Sequence, residues 1–349
     1  RLDEKTGAVV DLRAAGLDVN LADTASGHAI NQYLYLIGDN PADLKPTGPA
    51  KITVHEAGPL VASLLVESDA PGCHKLRQEV RLVAGLDRVE FINLVDKSRL
   101  VAPSYHAREG KESVNFAFPF GVPDGQVRLE VPFGVFQPDT GQIPSACKNW
   151  FTVNRWADVS NADFGLTWVT LDAPLVQVGG VTATLLNSQA NPDIWRKQVG
   201  PTQKLYSWAM NNHWGTNYRA YQEGPVAFRF VLRPHRKLDA AEASRLAIGM
   251  SQPLLAAGAR GLRAPGIPRL TIDSPDVLVM GLKPSDDGRA IVVRLWGGAG
   301  KDVQAKVTWS APVPRRVSLS DLSEQPLAEV KDTVPVPAWG VVTLRADLP

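Results

Sequence analysis

Residues 207–225, SWAMNNHWGTNYRAYQEGP, gather Trp208, Trp214, Tyr218 and Tyr221 among Asn211, Asn212, His213, Asn217, Arg219, Gln222 and Glu223. Rings interleaved with amides, a guanidinium and a carboxylate suit a sugar. Its C–H faces stack on aromatics and its rim of hydroxyls pairs with planar polar groups. The same residue types also serve as hydrogen-bonded packing at the edge of a sheet. His213 and Glu223 add a second reading, a base and an acid across a sugar ring of the kind an epimerase needs. Against it stands a His213 that packs or hydrogen-bonds at an interface.

Other chemistries find few residues. The six histidines, at 28, 55, 74, 106, 213 and 235, show neither the i, i+2 nor the i, i+4 spacing of a chelating face. Cys73 and His74 are adjacent on a turn, where successive side chains diverge. Asp158, Ser160, Asn161 and Asp163 make an oxygen-rich loop without the length or the terminal bidentate Glu of a calcium motif, so Asx turn-capping is the reading taken. There is no Gly-x-Ser-x-Gly elbow and no local Cys/His signature. Gly297-Gly298-Ala299-Gly300 lies between two β-runs and not before a helix, which makes it a turn and not a phosphate loop.

The elements that must position these residues are strands. Val114, Phe116, Phe118 and Phe120 alternate with Asn115, Ala117 and Pro119, and Val127, Leu129 and Val131 alternate with Arg128 and Glu130, the period-two pattern of half-buried strands. Similar runs occur at 51–55, 60–67, 89–95, 181–186 and 227–232, punctuated by 29 Gly and 27 Pro. So many alternating faces predict a large two-layer antiparallel assembly. One helix is expected over 239–250, with Asp239 as cap, Glu242 three residues on, and Leu246 and Met250 on one face. After a Gly/Ala/Pro-rich linker at 252–268, five strands at 277–282, 290–296, 304–309, 316–319 and 341–344 suggest a small terminal β-sandwich.

Composition bounds the partners. Hydrophobic residues are 44%, charged residues 21%, and no apolar run approaches the length that crosses a bilayer, so no membrane partner is expected. A net charge of +1 gives no general pull toward nucleic acid. Two cysteines, Cys73 and Cys147, are too few for a secreted disulfide framework. The 349 residues suffice for about two domains, and the chain opens abruptly on a hairpin around Lys5-Thr6-Gly7. This predicts the C-terminal part of a longer polypeptide. An export signal would then lie upstream, which leaves the compartment open between cytoplasmic and periplasmic or secreted.

Met210-Asn211-Asn212, then Trp214, Thr216-Asn217-Tyr218 and Gln222-Glu223-Gly224-Pro225, resemble in this order a segment of bacterial α-mannosidases of glycoside hydrolase family 38. So do NFAFPFGVPDGQVRLEVPFGV at 115–135, CKNWFTVNRWADVSNADFGLTW at 147–168 and FRFVLRPH at 228–235. The resemblance covers most of the chain, but only the part of such enzymes that follows the catalytic domain. It implies an all-β fold: a galactose-mutarotase-like β-supersandwich over 1–268, then a small C-terminal β-sandwich over 269–349.

The resemblance also implies retaining hydrolysis of α-mannosides or related glycans, by two carboxyl groups roughly 5 Å apart and a zinc ion, all on an N-terminal catalytic barrel of the same polypeptide. No catalytic residue, metal or cofactor site is carried onto this chain. Its expected partners are the barrel, a glycan or mannoside substrate, and further copies of itself in a homo-oligomer. Arg155, Trp156, Asp158, Trp208, Asn211, Asn212, His213, Trp214, Asn217, Tyr218 and Glu223 are the candidates for carbohydrate contact or the interface with the barrel. A stand-alone carbohydrate-binding module and a mutarotase- or epimerase-like sugar enzyme remain alternatives, since a shared fold is not a shared activity.

Overall fold

The computed structural model of the chain describes residues 1–183, 195–213, 219–252, 254–256, 258, 261 and 269–349. They form two compact units, one of residues 1–131 and 136–238 and the other of 132–135 and 239–349. The division falls at 238/239 and not at the expected 268/269, because the helix packs with the second unit.

In the first unit a six-stranded antiparallel sheet runs in the spatial order Phe151–Thr152, Leu175–Val178, Lys204–Asn211, Glu112–Pro119, Gln32–Ile37, Lys45–Pro46. A nine-stranded sheet includes, in order, Ala50–Ala57, Val61–Ser68, Cys73–Val83, Val89–Lys97, Gly224–His235, Gly165–Thr170, Trp156–Ser160 and Gln126–Val131. Alternate residues of the two sheets meet in one aromatic core. Phe118 lies 4.8 Å from Trp168 and 5.0 Å from Phe230, ring centre to ring centre, and Trp168 stacks on Phe230 at 5.6 Å. These rings are almost fully buried, and such contacts add to the area they remove from water.

The Glu112–Pro119 strand departs from its expected half-burial: all eight residues are buried. Phe116 and Phe118 fill the aromatic core, while Ala117 packs on the other face with Leu34, Leu36, Tyr206, Val181 and Ala183. Asn115, on that second face, is satisfied by the Gln177 amide at 3.0 Å. Polar residues on a covered face read as solvent-facing when only the alternation is known. The strand expected at 181–186 is absent over Val181–Ala183, and 184–186 lie outside the described residues. Asn161 caps its turn as expected, its Oδ1 accepting from the Asp163 and Phe164 amides at 2.9 and 3.0 Å.

The second unit holds a five-stranded sheet ordered Val277–Pro284, Ala290–Gly297, Val341–Asp347, Arg316–Ser320, Pro326–Glu329, with two small two-stranded sheets beside it. Its helix, Ala240–Ser251, starts where expected, the Asp239 carboxylate accepting from the Glu242 amide at 3.0 Å. The buried face is Ala241, Ala243, Ser244 and Ala247, not Leu246 and Met250, which are half-buried. Ala241 clusters with Leu278 and Trp296. Small side chains let a helix lie close to a sheet, a choice that hydrophobicity alone does not flag. No helix among the described residues is long and apolar enough to cross a membrane.

Candidate functional site

The alternation that fills the core with rings carries charge to one end of it. Inward positions of Val89–Lys97 run Val89, Phe91, Asn93, Val95, Lys97, and those of Glu112–Pro119 run Glu112, Val114, Phe116, Phe118. Lys97 and Glu112 therefore meet. Their side chains are 2% and 6% exposed, with Lys97 Nζ 2.8 Å from Glu112 Oε2. The ammonium also donates to the Ser98 carbonyl at 2.6 Å, and the Tyr35 hydroxyl donates to the same Glu112 oxygen. Burial, with the Glu112 charge beside it, pushes the Tyr35 pKa far up, so the hydroxyl stays a donor. Gly72 makes room for that ring: a Cβ there would lie 2.3 Å from Tyr35 Cε2, and its φ of +77° suits glycine.

Over this ion pair lies a cavity of about 330 Å³, lined by Lys97, Glu112, Met210, Asn211, Arg219 and Tyr221 among others. Tyr221 is held from outside, with the Arg99 guanidinium 3.6 Å and Arg219 5.1 Å from its ring centre, and the Tyr105 ring at 5.4 Å. Asn211 Oδ1 is buried and has no hydrogen-bond donor among the described residues. Asn212, next to it, is fully used. Its Oδ1 accepts from the Glu112 amide at 2.5 Å, and its Nδ2 donates to the Gly110 and Ala220 carbonyls at 2.8 and 2.7 Å. This clamps the segment after Asn211 to the start of the Glu112 strand.

The other sequence candidates do not converge on this cavity. Trp208 is 1% exposed and packs against Trp150 at 5.7 Å and, edge-on, against His213 at 5.4 Å. His213 is 2% exposed, and burial pushes its pKa down to about 4, offset only in part by the Ala183 main chain. Glu223 is exposed, so the structure buries one member of the imagined acid–base pair and leaves the other in solvent. Trp214, Asn217 and Tyr218 lie outside the described residues.

Arg155, Trp156 and Asp158 sit on or beside the Trp156–Ser160 strand of the nine-stranded sheet. Arg155 is 3.6 Å from the buried Glu130. Trp156 and Asp158 are fully buried. Asp158 binds Ser160 Oγ at 2.6 Å, Thr167 Oγ1 at 3.1 Å and His235 Nε2 at 2.7 Å, which leaves neither residue a free group for a ligand. Among the described residues no three His, Cys, Asp or Glu side chains are grouped so as to hold a metal ion.

Sequence reasoning passed over Lys97 and Glu112. The signal was present: both occupy the inward parity of strands filled mostly by Val and Phe, and a charge at such a position must be paired or functional.

Two family models match the chain in succession. The glycosyl hydrolases family 38 C-terminal domain covers residues 21–193, and the glycosyl hydrolases family 38 C-terminal beta sandwich domain covers residues 276–344. No curated protein matches the sequence. Among solved structures, an alpha-mannosidase from Enterococcus faecalis V583 superposes with a TM-score of 0.65 at 13% identity, over 93% of this chain and 40% of that one. A glycosyl hydrolase family 38 protein from Enterococcus faecalis does so with a TM-score of 0.65 at 12% identity, over 93% and 41%. These identities speak to the fold. The chain thus spans well under half the length of either protein. A putative aldose 1-epimerase from Escherichia coli K12 aligns with a TM-score of only 0.35, too low to argue from. Two models of one family, in order along one all-β chain, identify the chain as the C-terminal β-domains of glycoside hydrolase family 38.

Proposed function

We propose that this chain serves an α-mannosidase-type glycoside hydrolase as the β-region behind its catalytic barrel. In that reading the barrel of the same polypeptide carries the two carboxyl groups of a retaining mechanism and a zinc ion. The β-region buttresses the barrel and contributes contacts to the glycan. The observation that carries it is the succession of the two family 38 C-terminal models. The cavity beside Tyr221 and Asn211 supplies polar and aromatic groups suited to sugar on the segment the resemblance singles out.

The test is made on the full-length polypeptide with aryl α-mannosides. Hydrolysis with net retention of configuration, lost on chelation of zinc and regained on its return, is the expected result. Tyr221→Ala should raise KM on an extended mannoside more than on the aryl mannoside, since the side chain contributes uniform binding and not chemistry. A full-length protein that cleaves no α-mannoside overturns the reading.

A further inference from the structure

The inner face of the nine-stranded sheet stays apolar beyond the part that the opposing sheet covers. Phe91 and Val89 lie in the core, and the ladder carries their parity outward. Phe91 pairs with Val80, Val80 with Leu64 and Leu64 with Val54, while Val89 pairs with Leu82 and Leu82 with Ala62. An opposing sheet of six strands leaves this flank unroofed. Residues 1–12 cover some of it: Leu2, Val9 and Leu12 pack on the core, and Gly7 comes so near that a Cβ there would lie 2.2 Å from Val66 Cγ1. Between that segment and the strands runs a groove of about 510 Å³, on whose floor Val54 remains 68% and Leu82 52% exposed.

The groove asks for apolar side chains. Of its four charged residues Asp11 pairs with Arg13 at 3.0 Å, Glu56 faces Arg81 at 3.8 Å, and Arg1 is the fourth. An open apolar face of this kind marks a contact surface. Two observations select what covers it. The Ala50–Ala57 strand, which ends the sheet, breaks its register between Val54 and Glu56 and carries Lys51 and Glu56, features that discourage pairing with another copy's edge. Arg1 itself lines the groove, its carbonyl accepting from the Val10 amide at 3.0 Å. In the architecture proposed above the barrel joins the chain ahead of Arg1, so the joining stretch is delivered to this groove. A segment tethered there fills it at a small cost in loop closure, whereas a separate molecule gives up translational freedom. We infer that the groove seats the stretch of polypeptide that leads from the barrel into Arg1, with its apolar side chains laid on Val54, Leu64 and Leu82. The inference rests on the reading that the barrel belongs to the same polypeptide, and it fixes which face of the β-region the connection covers.

The experiment is thiol labelling of the full-length polypeptide carrying Val54→Cys or Thr53→Cys, read site by site by mass spectrometry so that Cys73 and Cys147 are counted separately. Both positions are exposed neighbours on one strand, but Thr53 pairs with Leu65 and belongs to the opposite face of the sheet. The thiol at 54 should react at least about tenfold more slowly than the thiol at 53, and the two should react alike in denaturant. Should Val54→Cys fail to fold, Leu82→Cys takes its place, with the same expectation.

Rapid labelling at both positions leaves the groove open and overturns the inference. Slow labelling at both puts the cover on the edge of the strand and overturns it as well. Slow labelling at 54 that disappears on dilution assigns the groove to a second copy and overturns the occupant. Hydrolysis of aryl α-mannosides by the same preparation is followed in parallel. Hydrolysis with an open groove sinks the docking alone, and a covered groove in a protein that cleaves no α-mannoside sinks the hydrolase reading and leaves the docking standing.

Discussion

Glu112 and Glu130 are both buried carboxylates at strand ends of the same unit, and the fold treats them in opposite ways. Glu112 faces a lysine at 2.8 Å and a tyrosine hydroxyl, with one oxygen left open on a cavity. Glu130 is enclosed by the Asn154 amide at 3.1 Å and the Trp156 N–H at 3.2 Å, with the Arg155 guanidinium only at 3.6 Å. Burial raises its pKa, and these bonds recover only part of the loss. Arg155 and Asp158, which sequence suggested for carbohydrate contact or the interface with the barrel, thus spend their charges on neighbours within their own sheet. The region the sequence passed over keeps open valences. A polar cluster points to function by what it leaves unmet, more than by how many polar residues it holds.

The largest effect should come from removing the charge at each site without changing shape. Glu112→Gln strands Lys97 as a buried cation with no counter-ion, and breaking a buried pair in this way costs about 3–5 kcal/mol. Glu130→Gln removes a charge that burial already disfavours but keeps only one oxygen, so either the Asn154 amide or the Trp156 N–H loses its acceptor, and the cost should be about 1–2 kcal/mol, below that of Glu112→Gln. Denaturant unfolding of the two variants reads the difference directly. Equal costs would dissolve the distinction between the two sites.

Much of this was legible in residues and spacing. The cap at Asp239, the Asx turn at Asn161 and the run of alternating strands follow from local rules, and the structure has each of them. The extent of burial was not legible. Whether Asn115 and Ala117 face water depends on Val181 and Ala183, which are distant in sequence and arrive over the back of the sheet. The pairing of Lys97 with Glu112 likewise needs two strands from different sheets, and although the two residues are only 15 apart nothing local says that these strands face each other across the core. Trp208 and Trp156 looked like sugar platforms by type, yet both are buried; type identifies a ring and topology decides which side of it is free.

A second contrast sets His213 against Glu130 in their response to acid. Burial depresses His213 to about 4 from an ordinary value near 6.5, so the folded state favours the neutral ring. Its stability contribution is full above pH 6.5 and is lost as pH falls toward 4, by roughly 3 kcal/mol in all. Glu130, raised by burial, acts in the other direction: the folded state favours its protonated form, so acidification relieves it. In stability measured from pH 7 to pH 4, His213→Phe should flatten the acid loss, and Glu130→Gln should remove the opposing gain and steepen it. A His213→Phe profile parallel to the parent's would mean that the ring is reached by water.

The smallest effect is expected in the second unit, where Asp239 is an acid that is both satisfied and solvent-exposed. Its helix buries mainly alanine and serine, so packing holds it less firmly than Phe and Trp hold the first unit, and the start of the helix leans on its cap. Asp239→Ala removes the acceptor for the Glu242 amide and should cost about 1 kcal/mol. Exchange at the amides of 240–244 should quicken, while the Lys97–Glu112 region keeps its protection. Asn at 239, which caps as well as Asp, should restore the parent rate, and a variant that stays slow only with Asp would shift the credit from the cap's hydrogen bond to its charge.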